Sequence, residues 1–147
     1  MPRSTARPRP PLASDPIHSS IDAIAVVSLA IHRPLQPETI AFLLDDRGCS
    51  STITIVSGTT EPDSVMAVAE CMAHAAGQAP QLCGLVLATV RPGTAPHAPA
   101  TMPGDVDRWL QLDEITAAHG IELIEWFVVG PAGVDSPRAL LGDPERW

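Results

Sequence analysis

Apolar and polar positions along the chain repeat with two periods, and each change of period marks an element. From Ser19 to Ile31 the residues Ile21, Ile24, Val27, Ser28 and Ile31 fall near one helical face, with Ser19-Ser20-Ile21-Asp22 as the start. The run from Ala23 to Ile31 is also rich enough in Ile and Val for a strand; helix is favoured, ending before Pro34. Glu38 to Leu44 reads as a strand, closed by Asp45-Asp46-Arg47-Gly48, and Ser51 to Val56 alternates strictly enough to pair back on it as a hairpin. After the turn Ser57 to Asp63, a helix is predicted with Val65, Val68, Ala69, Met72 and Ala76 as its apolar stripe, ended by Gly77 and Pro80. Leu82 to Val90 is a buried strand. A helix from Pro103 to His119 should bury Val106, Trp109, Leu110, Leu112 and Ile115 and stop at Gly120, where a left-handed cap belongs. Ile121 to Val129 is the last strand, followed by the turn Pro131-Ala132-Gly133 and a tail after Ser136. The predicted order is α-β-β-α-β-α-β: an α/β fold on the α+β borderline, a mixed β-sheet flanked by helices.

Length and composition then limit the function. At 147 residues, 45% hydrophobic and 18% charged, the chain has enough apolar surface for one well-buried domain. Residues 1–18 are expected to be a disordered N-terminal tail, 19–142 the domain and 143–147 a C-terminal tail. Arg3, Arg7 and Arg9 leave six basic against seventeen acidic residues from position 11 onward, a net of −11. A body that acidic repels phosphate backbones, which argues against DNA or RNA as a partner. No apolar run reaches the roughly 18 residues that span a bilayer, and no apolar stretch follows the N-terminal arginines as a signal peptide requires. Neither a membrane partner nor export is expected, and the cytoplasm is the expected location. Cys49, Cys71 and Cys83 form no C-x-x-C pair, so reduced thiols are expected: Cys71 and Cys83 in the core, Cys49 exposed in a turn.

Chemistry is best sought where the buried strand ends. Thr89-Val90-Arg91-Pro92-Gly93 opens a long Pro- and Ala-rich loop that leads into the helix start Pro103-Gly104-Asp105-Val106-Asp107. Arg91 either pairs with Asp105 or Asp107, standing in for a metal electrostatically, or is an exposed loop arginine with no fixed partner. His74 and His119 lie near helix C-termini, where a partly charged imidazole is mildly favourable, and His18 and His32 flank the first helix. Gly58-Thr59 lacks the glycine-rich cradle and lysine of a nucleotide site. Trp109, Trp126 and Trp147 are too scattered for base stacking; Trp147 should be frayed or docked on a partner.

Between Glu38 and Leu141 several strings, in this order, resemble the JAB/MPN domain in its RadC-like form. They are the strand Glu38 to Asp45, Gly58-Thr59 before a helix, the strand running into Arg91-Pro92-Gly93, and the helix start Pro103 to Asp107. The last and most specific is Gly120-Ile121-Glu122-Leu123-Ile124-Glu125-Trp126-Phe127-Val128-Val129-Gly130, followed by Val134-Asp135-Ser136. Active members of that family hold one zinc on His-x-His-Pro and a downstream Asp, with a Ser three residues before that Asp and an upstream Glu orienting the attacking water. Two neutral imidazoles and a carboxylate leave one zinc position open for water, and the second carboxylate takes its proton. By position, Thr89 and Arg91 stand where the imidazoles would be, Gly104 replaces the Ser, and Asp107 matches the third ligand. Glu38 matches the water-orienting Glu with the register open by one residue. His97, ten residues before Asp107, is the nearest substitute ligand, but Pro96 and Pro99 bracket it and Ala95 lies two before it. The resemblance therefore implies a catalytically inactive domain without a cofactor, a protein-binding or scaffolding module with a protein partner or a second copy of itself. The alternative is a hydrolase with zinc on a non-standard set of His97, Asp107 and Glu38, or metal-free chemistry around Arg91, Asp105 and Asp107.

Overall fold

A computed structural model of the chain describes residues 16–50, 52–58 and 61–147. Two near-continuous apolar runs, β1 (Glu38–Asp45) and β3 (Leu82–Val90), are buried on both faces and so occupy the middle of the sheet. β2 (Thr54–Ser57) folds back antiparallel on the outer side of β1, and β3 lies antiparallel on its inner side. β4 (Glu122–Gly130) runs parallel to β3, and the short β5 (Gly133–Asp135) closes a hairpin on β4. The result is a five-stranded mixed sheet in the order β2-β1-β3-β4-β5.

Strand alternation sends side chains to two cores. On one face α2 (Pro62–Ala76) and α3 (Asp105–Ala118) cover Ala41, Leu85, Leu87, Leu123, Trp126 and Val128. On the other α1 (Ser20–Ala30) covers Ile40, Phe42, Val86, Ala88, Phe127 and Val129. Among the described residues four helices therefore flank the sheet, the fourth being the short α4 (Pro137–Leu141). Among the described residues no helix is long and apolar enough to cross a membrane.

The α/β class and the β1–β2 hairpin agree with the sequence reading, and several details differ. β2 begins only at Thr54, and Ser51 lies outside the described residues. The stretch read as a turn and tail forms β5 and α4, elements too short for either period to register. The expected 1–18 tail lies outside the described residues as far as position 15; beyond it Ile17 is buried and its N–H donates to the Gly48 carbonyl at 2.8 Å. The C-terminal tail 143–147 packs back on the domain. Arg146 pairs with Asp113 at 2.7 Å and stacks over the Trp109 ring. Trp147 is not frayed: its indole N–H donates to the Ser20 hydroxyl at 3.0 Å.

Phase also differs. α1 buries Ala23, Val26 and Val27 and exposes Ile21, because a helix apolar all round gives periodicity nothing to choose between. α3 buries Trp109, Leu112 and Thr116, leaves Val106 and Ile115 half-buried, and turns Leu110 to solvent. Cys71, on the outer side of α2, and Cys83, near the emerging start of β3, are exposed, while Cys49 is half-buried. Burial, together with Asp46, Asp45 and Glu122, pushes the Cys83 thiol up, so its reactive thiolate is scarce despite the exposure.

Candidate functional site

The site grows from the last residues of β3. Thr39 and Thr89 are cross-strand partners on the α2/α3 face, with hydroxyls 3.4 Å apart. The Trp126 indole N–H donates to the Thr89 hydroxyl at 3.0 Å. Arg91 extends the strand by one more bond, its N–H donating to the Val129 carbonyl at 2.7 Å, and Pro92 then ends it.

The loop that follows is fixed at several points. Thr94 N–H donates to the Arg91 carbonyl and Ala98 N–H to the Ala95 carbonyl, two successive turns. The buried Ala100 donates its N–H to Asp135 at 2.9 Å and accepts from the Arg91 guanidinium at 2.9 Å. Gly130 lets the loop sit this close, since a Cβ there would lie 3.0 Å from that of Ala100. Gly104, with φ of 88°, then turns the chain into α3.

Arg91 and Asp105 meet at the centre. Two guanidinium nitrogens of Arg91 reach the two carboxylate oxygens of Asp105 at 2.7 and 3.0 Å, a bidentate pair. The Asp105 side chain is 1% exposed and that of Arg91 11%. Asp105 also accepts from Met102 N–H at 2.7 Å and from Arg108 at 3.0 Å. Burial would raise its pKa, but the Arg91 hydrogen bonds, the Met102 N–H, the Arg91 charge and Arg108 together hold the carboxyl below its ordinary value. The guanidinium carbon of Arg91 lies 5.8 Å from the centre of the Trp126 ring, within cation–π range. Its buried Nε has no hydrogen-bond partner among the described residues. A cavity of about 470 Å³ opens beside the pair, lined by Pro37, Pro62, Arg91, Pro92, Thr94 and Met102 among others.

The other expected site residues scatter. Asp107 is exposed: α3 begins at Asp105, and at about 100° per residue a side chain two positions on points well away from the loop. His97 is exposed on the loop. Glu38 is 1% exposed but belongs to the opposite face, in step with Ile40 and Phe42, and Thr39 takes the site-facing position. The Glu38 carboxylate lies 2.6 Å from His32 Nδ1 and accepts the His32 backbone N–H at 3.0 Å. Glu38, His97 and Asp107 therefore do not assemble, and no group of three or more His, Cys, Asp or Glu side chains placed to hold a metal occurs among the described residues. The donor set at the strand end does not fit zinc either: Thr89 is engaged by an indole, and Arg91 brings a fixed positive charge.

Among the ionic arrangements that escaped the sequence reading, two are built on fully buried glutamates. His32 and Glu38 lie six residues apart on either side of a turn containing Pro34 and Pro37, and that turn was the available signal. Glu125 is wholly buried in β4 and is bound by Arg138 Nε at 2.8 Å and by the Ser136 hydroxyl at 2.8 Å. A charge inside the run Leu123-Ile124-Glu125-Trp126 signalled a buried partner. Ile124 is the extra residue of a β-bulge against β3, which shifts Glu125 out of the regular alternation.

No protein-family model matches the chain, and a search of the curated proteins returns no relative.

Proposed function

We propose that the chain is a catalytically inactive domain of the RadC-like JAB/MPN kind, acting as a protein-binding or scaffolding module. The observation that carries this is the bidentate Arg91–Asp105 pair at the end of β3. In the family pattern an imidazole ligand stands at Arg91; here a permanent cation occupies that position and takes the adjacent carboxylate for itself. Electrostatically the guanidinium does what a dication would do for Asp105, without offering a polarised water. Thr89, at the other imidazole position, is spent on Trp126, itself at the place of a family His. The water-orienting role also lacks its carboxylate, since Thr39 faces the cluster and Glu38 is turned to His32. What remains is a rigid strand end and a pinned, proline-rich loop around a cavity, features suited to holding a partner.

Metal analysis of protein purified without chelator tests the reading. Zinc well below stoichiometric is expected; one equivalent that survives dialysis would overturn it and restore the hydrolase.

A further inference from the structure

We infer that α1 is a self-association surface, and that the partner it fits is a second copy of this chain docked antiparallel across a two-fold axis. This deepens the binding-module reading by naming the partner. α1 lies over its face of the sheet, where Ile17, Ile31, Leu35 and Trp147 also pack, and its outward side carries Ile21, Ala25 and Leu29 beside the polar Ser28. Ile21 is 80% exposed and Leu29 61%, two of the three most exposed large hydrophobic side chains among the described residues. They lie eight residues apart on one ridge, with Ala25 midway and Ser28 beside it. Small residues at the middle of the ridge let two helices approach, and a two-fold sets Ile21 of one copy against Leu29 of the other.

Charge selects this occupant and this direction. At the N-terminal end of α1 stand Asp22 and Glu145, the latter accepting from the Ser20 hydroxyl at 3.1 Å. Just past the C-terminal end stands the exposed Arg33. An antiparallel pair brings Asp22 and Glu145 of each copy to Arg33 of the other and opposes the two helix dipoles; a parallel pair would bring like charges together. The helix is only about 16 Å long, so the contact is at the small end of specific interfaces and should be weak. A bilayer surface is a poorer occupant, because the stripe has acidic flanks and one arginine where an interfacial helix carries a basic face.

Sedimentation equilibrium of the full chain over a range of concentrations is the test. The expected result is a reversible monomer–dimer equilibrium, with Leu29→Glu raising the dissociation constant by about tenfold or more. Ile21→Glu, at the most exposed position, should do the same and stands in if Leu29→Glu fails to fold. Arg33→Glu and Glu145→Arg should each weaken the dimer, and the double variant should recover it. A monomer at every concentration overturns the inference, whether residues 1–15 or anionic vesicles cover the stripe instead. So does a dimer indifferent to both apolar variants, or a charge swap without recovery. These outcomes leave the inactive-site reading standing, since that is decided by metal content.

Discussion

The end of β3 and the junction with α4 each bury an arginine against a carboxylate, and the two places use the same pair of groups differently. At the α4 junction both groups are held at several points: Arg138 Nε binds Glu125, a second guanidinium nitrogen binds the Asp143 carbonyl, and Glu125 also takes the Ser136 hydroxyl and the Trp126 backbone N–H. At the end of β3 the pairing is bidentate, yet Arg91 keeps a buried Nε without a partner and borders a cavity. The first pair bolts a short helix to the sheet. The second leaves Arg91 Nε without a hydrogen-bond partner among the described residues, so the pair is less completely satisfied.

Removing one arginine at a time is the strongest way to break that contrast. Arg138→Ala leaves Glu125 buried with only neutral donors and should cost about 3–5 kcal/mol of unfolding free energy. Arg91→Ala should cost less, about 2–3 kcal/mol, because Asp105 keeps the Arg108 guanidinium and the Met102 N–H. Urea unfolding of both variants gives the order, and an Arg91 variant weaker than the Arg138 variant would reverse the assignment of which pair is the structural bolt.

A double-mutant cycle sharpens the comparison at lower amplitude. Asp105→Asn combined with Arg91→Met should lose about 1–3 kcal/mol less than the sum of the single losses, since each single change strands the other group. Additive losses would mean that Arg91 is held by the Ala100 carbonyl and the Trp126 ring rather than by Asp105.

How far the sequence could lead depended on which quantity decided each feature. Apolar runs long enough to be buried on both faces identified β1, β3 and β4, because central strands have little alternative. The pairing of Arg91 with a first-turn carboxylate was one of two readings the sequence left open, and its two candidate carboxylates, two residues apart, differ only in helix phase. Phase is set by where Gly104 turns the chain, and that turn depends on the loop packing against Gly130. Glu38 failed for the matching reason in a strand, where one step of register reverses the face. The outward side of α1 could not be read at all: its burial is decided by the sheet beneath it, while its own sequence is equally apolar all round.

Acid titration should show the smallest effect and bears most directly on Asp105. Its carboxyl is held below the ordinary value of 3.8, so it contributes stability that is present above that pH and disappears as the pH falls through the lower folded value. Between pH 5 and 8 this group should therefore cause no change in the urea midpoint of the wild-type protein. Arg91→Ala removes the partner that supplies both a hydrogen bond and a charge, so the variant lacks much of the contribution that acid takes from the wild type. The stability gap between the two proteins should consequently be constant near neutrality and narrow below pH 4. Measuring both midpoints at pH 7 and at pH 3.5 isolates Asp105, because carboxylates remote from the cluster titrate alike in the two proteins and cancel in the difference. A gap that stayed the same in acid would mean that Arg91 stabilises the strand end by packing against Trp126 and the loop, and that the carboxylate beside it is a bystander.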